Sequence, residues 1–113
     1  MGTLPVGARL LISSPRRIDE EIRRLERGAT LSTAALRERL ATQAGAEACC
    51  PLTAGIFLRI VAEAAWDELQ DGASPDSVTP FWRVVEPRSP LAKKLRCGPD
   101  FIAAMRARED ATA

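Results

Sequence analysis

A mainly α fold with a small β wing, the winged helix-turn-helix, is what this sequence predicts, and three observations predict it. Two helical stretches, "LSTAALRERLATQAG" and "CPLTAGIFLRIVAEAAWDELQDG", follow one another with few residues between them. The second is the longer and the more clearly punctuated, as the recognition helix of such a pair should be. A β-branched run bounded by prolines, "TPFWRVVEP", comes after them and reads as the wing strand.

The elements follow in order. In "SSPRRIDEEIRRLERG", Ser14 caps, Pro15 takes the first helical position, Ile18, Ile22 and Leu25 share a face, and Gly28 is the stop. In the next stretch Ser32 caps, Leu31 staples onto Leu36, Leu40 continues the stripe and Gly45 ends it. The third helix has Cys50 in the cap position and Pro51 opening. Ile56, Phe57, Ile60, Val61, Ala64 and Leu69 are expected inward, with Gly72 closing. After the turn-rich "DGASPDS" come the strand with Val84 and Val85, a short helix "LAKKLR" behind Ser89-Pro90, and a last helix behind Gly98-Pro99. Phe101, Ile102 and Met105 anchor that last helix, and "EDATA" is expected to fray.

At 113 residues the chain has room for a single modest core. Residues 1–11 read as a flexible N-terminus and residues 12–110 as a single winged-helix domain. The apolar runs are too short to span a bilayer, and "MGTLPVGARLLISS" does not read as a signal peptide, so a cytoplasmic protein is expected. Three cysteines, Cys49 and Cys50 adjacent and Cys97 distant, fit reduced thiols better than a disulfide framework. With no histidine, a histidine base and a Cys/His zinc site are excluded, and neither a metal nor a cofactor is expected. Net charge is only +1, with residues 1–28 and 73–113 each at +2 and residues 29–72 at −3, so a polyanion would be met by the ends of the chain.

The order of these motifs resembles the DNA-binding domain of alkylguanine-DNA alkyltransferases and, more closely, the alkyltransferase-like proteins that lack the reactive cysteine. The resemblance runs from Ile12 to Asp110. It is carried by "ISSPRRIDEEIRRLERGATLSTAALRERLA", "CPLTAGIFLRIVAEAA", "TPFWRVVEP" and the Arg-rich "RARED". In that family a proline-cysteine-histidine-arginine-valine run holds the alkyl-accepting thiolate; the matching residues are Pro80, Phe81, Trp82, Arg83 and Val84. Neither a phenyl ring nor an indole supplies a nucleophile, so the resemblance implies a protein that is not an enzyme at this position. Glu109 falls where the family keeps the carboxylate that orients its histidine. The implied function is non-enzymatic DNA binding that senses alkylated bases for repair, with an alkylated duplex and a repair protein as partners.

Phe81 and Trp82 then have two readings, a flat wall for an extruded base or a packed core. As strand neighbours they face opposite ways, so one ring could serve each. Arg83 could contact phosphate or be structural. Leu52, Thr53, Gly55 and Arg59 on the third helix are the candidate groove contacts, and Arg88, Lys93, Lys94 and Arg96 the candidate phosphate contacts. Two positions depart from the family: its wedge arginine and its phosphate-rotating tyrosine match Gly55 and Thr33. Two other functions stay open, a protein-interaction module on the same fold and a thiol-dependent enzyme using Cys50, whose place at a helix start favours thiolate.

Overall fold

The computed structural model describes residues 10–11, 14–45 and 48–112. The elements are β1 (Leu10–Leu11), α1 (Pro15–Arg23), α2 (Thr33–Gln43), β2 (Ala48–Cys49), α3 (Pro51–Gln70), a 3-10 turn (Phe81–Arg83), α4 (Pro90–Lys94) and α5 (Gly98–Thr112). β1 and β2 form a parallel bridge, Leu10 opposite Ala48 and Leu11 opposite Cys49. Part of the stretch expected to be a flexible N-terminus is thereby tied down; residues 1–9 lie outside the described residues.

Local chemistry accounts for the helix starts. The hydroxyls of Ser14, Ser32 and Ser89 accept from the backbone N–H groups of Arg17, Ala35 and Ala92, and so satisfy donors that the first turn leaves unpaired. Pro15, Pro51 and Pro90 sit where a missing N–H costs nothing. α1 ends at Arg23, before the expected stop at Gly28, because the chain there is turned toward Arg83. The Leu25 carbonyl accepts from Arg83 Nη1 at 2.7 Å, and the Leu31 N–H donates to the Arg83 carbonyl at 2.8 Å. Gly28, at φ 85°, makes the left-handed turn that follows.

The wing strand expected over Thr79–Glu86 is not there. Its backbone donors are spent locally: Phe81 N–H reaches the Thr79 carbonyl, Arg83 N–H the Pro80 carbonyl, and the N–H groups of Val84 and Val85 the Phe81 carbonyl. With Pro80 and Pro87 offering no donor, little remains for a ladder. A strand would also send alternate side chains to opposite faces, whereas Phe81, Trp82, Val84 and Val85 are all buried. The tight turn points all four inward. Among the described residues the fold is mainly helical, with one short β bridge.

α3 is rotated from its expected setting. Ala54, Leu58, Val61, Ala62 and Ala65 face the core, while Ile56 and Ile60 are each 49% exposed and Ala64 is exposed. A helix apolar on nearly every face gives periodicity little to choose between. One cluster joins α1 (Ile18, Ile22), α2 (Leu36, Leu40), α3, the 3-10 turn and α5 (Ile102, Met105). α5 does not fray at "EDATA"; it continues to Thr112, because Glu109 is anchored in the interior.

Candidate nucleic-acid interface

The start of α3 is the part of the molecule that the expected groove contacts occupy, and the fold sets α4 beside it. Leu52, Gly55, Ile56 and Arg59 of α3 line one cleft with Leu91 and Lys94 of α4. A second cleft opens on the other side of Gly55 and Leu91. Thr33 and Arg37 of α2, Ala54 and Leu58 of α3, and Ser89 and Pro90 also line it. The two clefts share a glycine and a leucine, so they form one continuous face. Its cations are Arg37, Arg59 and Lys94, and no acidic residue lines either cleft. Among the described residues none of the three is in an ion pair; Arg59 donates through Nη2 to the Lys94 carbonyl at 3.4 Å, which ties α3 to α4 without neutralising either charge.

The expected contacts divide accordingly. Leu52, Gly55, Arg59 and Lys94 come together; Arg88 and Lys93 are exposed but line neither cleft. Thr53 is half-buried, and its hydroxyl donates to the Cys50 carbonyl at 3.4 Å, inside the first turn. Arg96 is drawn elsewhere. Its Nη2 donates to Asp67 at 2.7 Å and its Nε to Glu63 at 3.3 Å, and the Asp67 hydrogen bond holds the guanidinium above its usual range. Arg37 was missed because nothing local in the sequence sets it apart; the cleft lined jointly by α2, α3 and residues 89–91 brings it to this face.

Phe81 and Trp82 take the packing role. Phe81 is fully buried and Trp82 is 1% exposed. Their ring centroids are 5.4 Å apart in an edge-to-face contact, and Phe101 lies 6.1 Å from Phe81 and 6.3 Å from Trp82. Neither ring presents a face to solvent, so the expected wall of a base pocket is closed. Arg83, too, is structural: its side chain is 12% exposed and it forks onto Glu109, Nη2 to Oε2 at 2.9 Å and Nε to Oε1 at 2.9 Å. Glu109 also accepts from Trp82 Nε1 at 2.8 Å and from the Gly28 N–H at 3.2 Å. Burial pushes this carboxyl up, and the hydrogen bonds from Arg83, Trp82 and Gly28 outweigh it, leaving Glu109 below the ordinary carboxylate range.

Cys50 is buried at the cap of α3. The Thr53 hydroxyl, then the Thr53 N–H, draw its thiol below the ordinary value. With no histidine in the chain, no general base of that kind accompanies it. Burial pushes the Cys97 thiol up, helped by the charge of Glu63. Both are free thiols. Among the described residues no cluster of His, Cys, Asp or Glu fit to hold a metal ion occurs, and no helix is long and apolar enough to cross a membrane.

No protein-family model, no curated protein and no solved structure matches this chain.

Proposed function

We propose that this chain is a non-enzymatic DNA-binding module, with α2 and α3 as its helix-turn-helix pair and the first half of α3 set against a duplex. The observation that supports the reading is the acid-free face around Gly55, with Arg37, Arg59 and Lys94 from three helices spaced around an exposed helix start. Cations without acidic neighbours neutralise phosphates and release counterions, which is the sequence-independent part of DNA affinity. The acids Glu63 and Asp67 sit further along α3 and are partly answered by Arg96. The free thiols of Cys50 and Cys97 suit the reduced, cytoplasmic setting in which such a protein works.

The reading rests on duplex binding and not on a lesion pocket, since Phe81 and Trp82 are covered. Fluorescence anisotropy of two labelled duplexes, one plain and one carrying an alkylated guanine, titrated at several salt concentrations, tests it. Both duplexes bind, and log affinity falls against log salt with a slope of about −3, one unit for each of the three cations. An absence of binding at low salt overturns the proposal. A protein-interaction module is the second reading, favoured by the exposed row Leu52, Ile56 and Ile60 on α3. It predicts an association that survives high salt and does not compete with DNA.

A further inference from the structure

The cleft between α2, α3 and residues 89–91 has the make-up of a small-molecule site. Leu36, Ala54 and Leu58, all buried, and half-buried Leu91 give it apolar walls, and its volume is about 180 Å³. A cavity of about 150 Å³ with walls of this kind takes a benzene ring. Among the described residues, Arg37 is the one charged residue that lines the cleft. Its side chain is half-buried, and no ion-pair or hydrogen-bond partner for its guanidinium occurs among the described residues. The cause is local. The positions three and four residues away hold Thr33, Ala34, Leu40 and Ala41, none of them acidic. Arg16, Arg23 and Arg24, by contrast, each pair with a carboxylate one turn away.

A guanidinium partly withdrawn from water beside apolar walls is best answered by an anion whose other end is apolar. The anion restores the hydrogen bonds that burial removes, and the apolar end covers the walls. We infer that this cleft binds a small apolar carboxylate, one ring or a chain of a few carbons. The carboxylate lies on Arg37 and the body lies against Leu36, Leu58 and Leu91. Thr33, one turn before Arg37 on the same face of α2, brings a hydroxyl to the cleft as a further donor. The single cation selects a single charge: a phosphate monoester would enter with a second charge that no residue lining the cleft answers. A free acid and the C-terminal carboxylate of a peptide with an apolar last residue offer the same chemistry. Occupancy also neutralises one of the three cations of the face, so it opposes duplex binding. That consequence rests on the DNA-binding reading above; the site itself does not.

Backbone-amide NMR of the full chain, titrated at constant ionic strength and without DNA, tests the site. The probes are benzoate, benzamide, acetate and a short uncharged peptide with a free C-terminal phenylalanine. Benzoate gives saturable shifts confined to the residues that line the cleft. Benzamide, which lacks the charge, and acetate, which lacks the body, bind about tenfold more weakly or worse. Arg37→Gln removes no contact within the fold and so folds normally; it weakens benzoate about tenfold, leaves benzamide unchanged, and Arg37→Lys recovers part of the loss. Whichever of benzoate and the peptide binds more tightly names the source of the carboxylate. Benzoate shifts that fail to saturate, that spread over the other cations, or that benzamide matches overturn the site. Anisotropy on a plain duplex then reads the coupling. Saturating benzoate weakens duplex binding and lowers the salt slope by about one unit in the full chain, and does neither in Arg37→Gln. Benzoate that fills the cleft without changing duplex affinity overturns the coupling and takes Arg37 off the DNA face, with the site standing. No duplex binding at low salt overturns the DNA-binding reading alone.

Discussion

Trp82 Nε1 donates to Glu109 Oε2 at 2.8 Å, and Arg83, the next residue, forks onto the same carboxylate. Glu109 therefore ties the 3-10 turn to α5, and through the Gly28 N–H it also holds the loop after α1. The same carboxylate fixes the orientation of the buried indole. An indole N–H donates only, so this hydrogen bond positions the ring and carries no proton transfer.

This pair gives the protein an acid-sensitive joint. Because the Glu109 carboxyl is held below its ordinary value of about 4.3, its contribution to stability is full above that pH and is lost as pH falls through the lowered native value. Glu109→Gln removes the charge and leaves the Arg83 guanidinium, 12% exposed, without its counter-ion, at a cost of about 3 kcal/mol near neutrality. Urea unfolding of both proteins from pH 7 down to pH 3 measures this. The gap between them narrows below about pH 4; a gap constant with pH would show that the ion pair is not the source.

Phe81 is a core residue, so its truncation is read in stability before it is read in binding. Phe81→Ala leaves a cavity among Trp82, Phe101 and the valines and costs about 3–5 kcal/mol. Any loss of affinity is the same for plain and alkylated duplexes, because the ring does not reach the surface. Thermal unfolding together with anisotropy on both duplexes decides it. A selective loss on the alkylated duplex, with stability preserved, would reopen the base-pocket reading.

What was legible in the sequence was what local chemistry determines. The caps at Ser14 and Ser32 and the opening prolines Pro15 and Pro51 marked three helix starts correctly, the short helix expected behind Ser89-Pro90 begins at Pro90 itself, and Ile102 and Met105 were read as anchors of the last helix. What misled was residue preference read without hydrogen-bond accounting. Val84 and Val85 favour strands, yet the prolines around them and the inward demand of Phe81 and Trp82 made a tight turn the better solution. The candidate face was half legible. Leu52, Gly55, Arg59 and Lys94 were singled out, but Ile56 was assigned to the core, Arg96 was read as a candidate phosphate contact although it is engaged by Glu63 and Asp67, and Arg37 depended on a long-range arrangement that no local pattern encodes.

The cations of the face and those outside it should separate cleanly in salt titrations. Arg37→Ala, Arg59→Ala and Lys94→Ala each reduce the salt slope by about one unit and weaken plain duplexes of different sequence alike. Arg96→Ala leaves the slope unchanged, because its charge is already engaged by Glu63 and Asp67. If Arg96 instead carries as large a slope change as Arg59, the binding surface lies further along α3 than the clefts indicate.

Gly55 separates stability from binding. It sits inside α3 with helical backbone, where glycine costs about 1 kcal/mol relative to alanine, and an added Cβ would meet no neighbour within 4 Å. Gly55→Ala therefore raises stability by about 0.5–1 kcal/mol, through a stiffer unfolded chain and better helix propensity. If α3 meets the DNA backbone at this point, the same methyl group stands where a sugar or phosphate must approach, and affinity falls although the protein is more stable. Chemical denaturation and duplex anisotropy on the one variant read the two effects independently. A protein that is stabilised and binds as before would move the contact away from Gly55 and toward Arg37 and Ser89 across the second cleft.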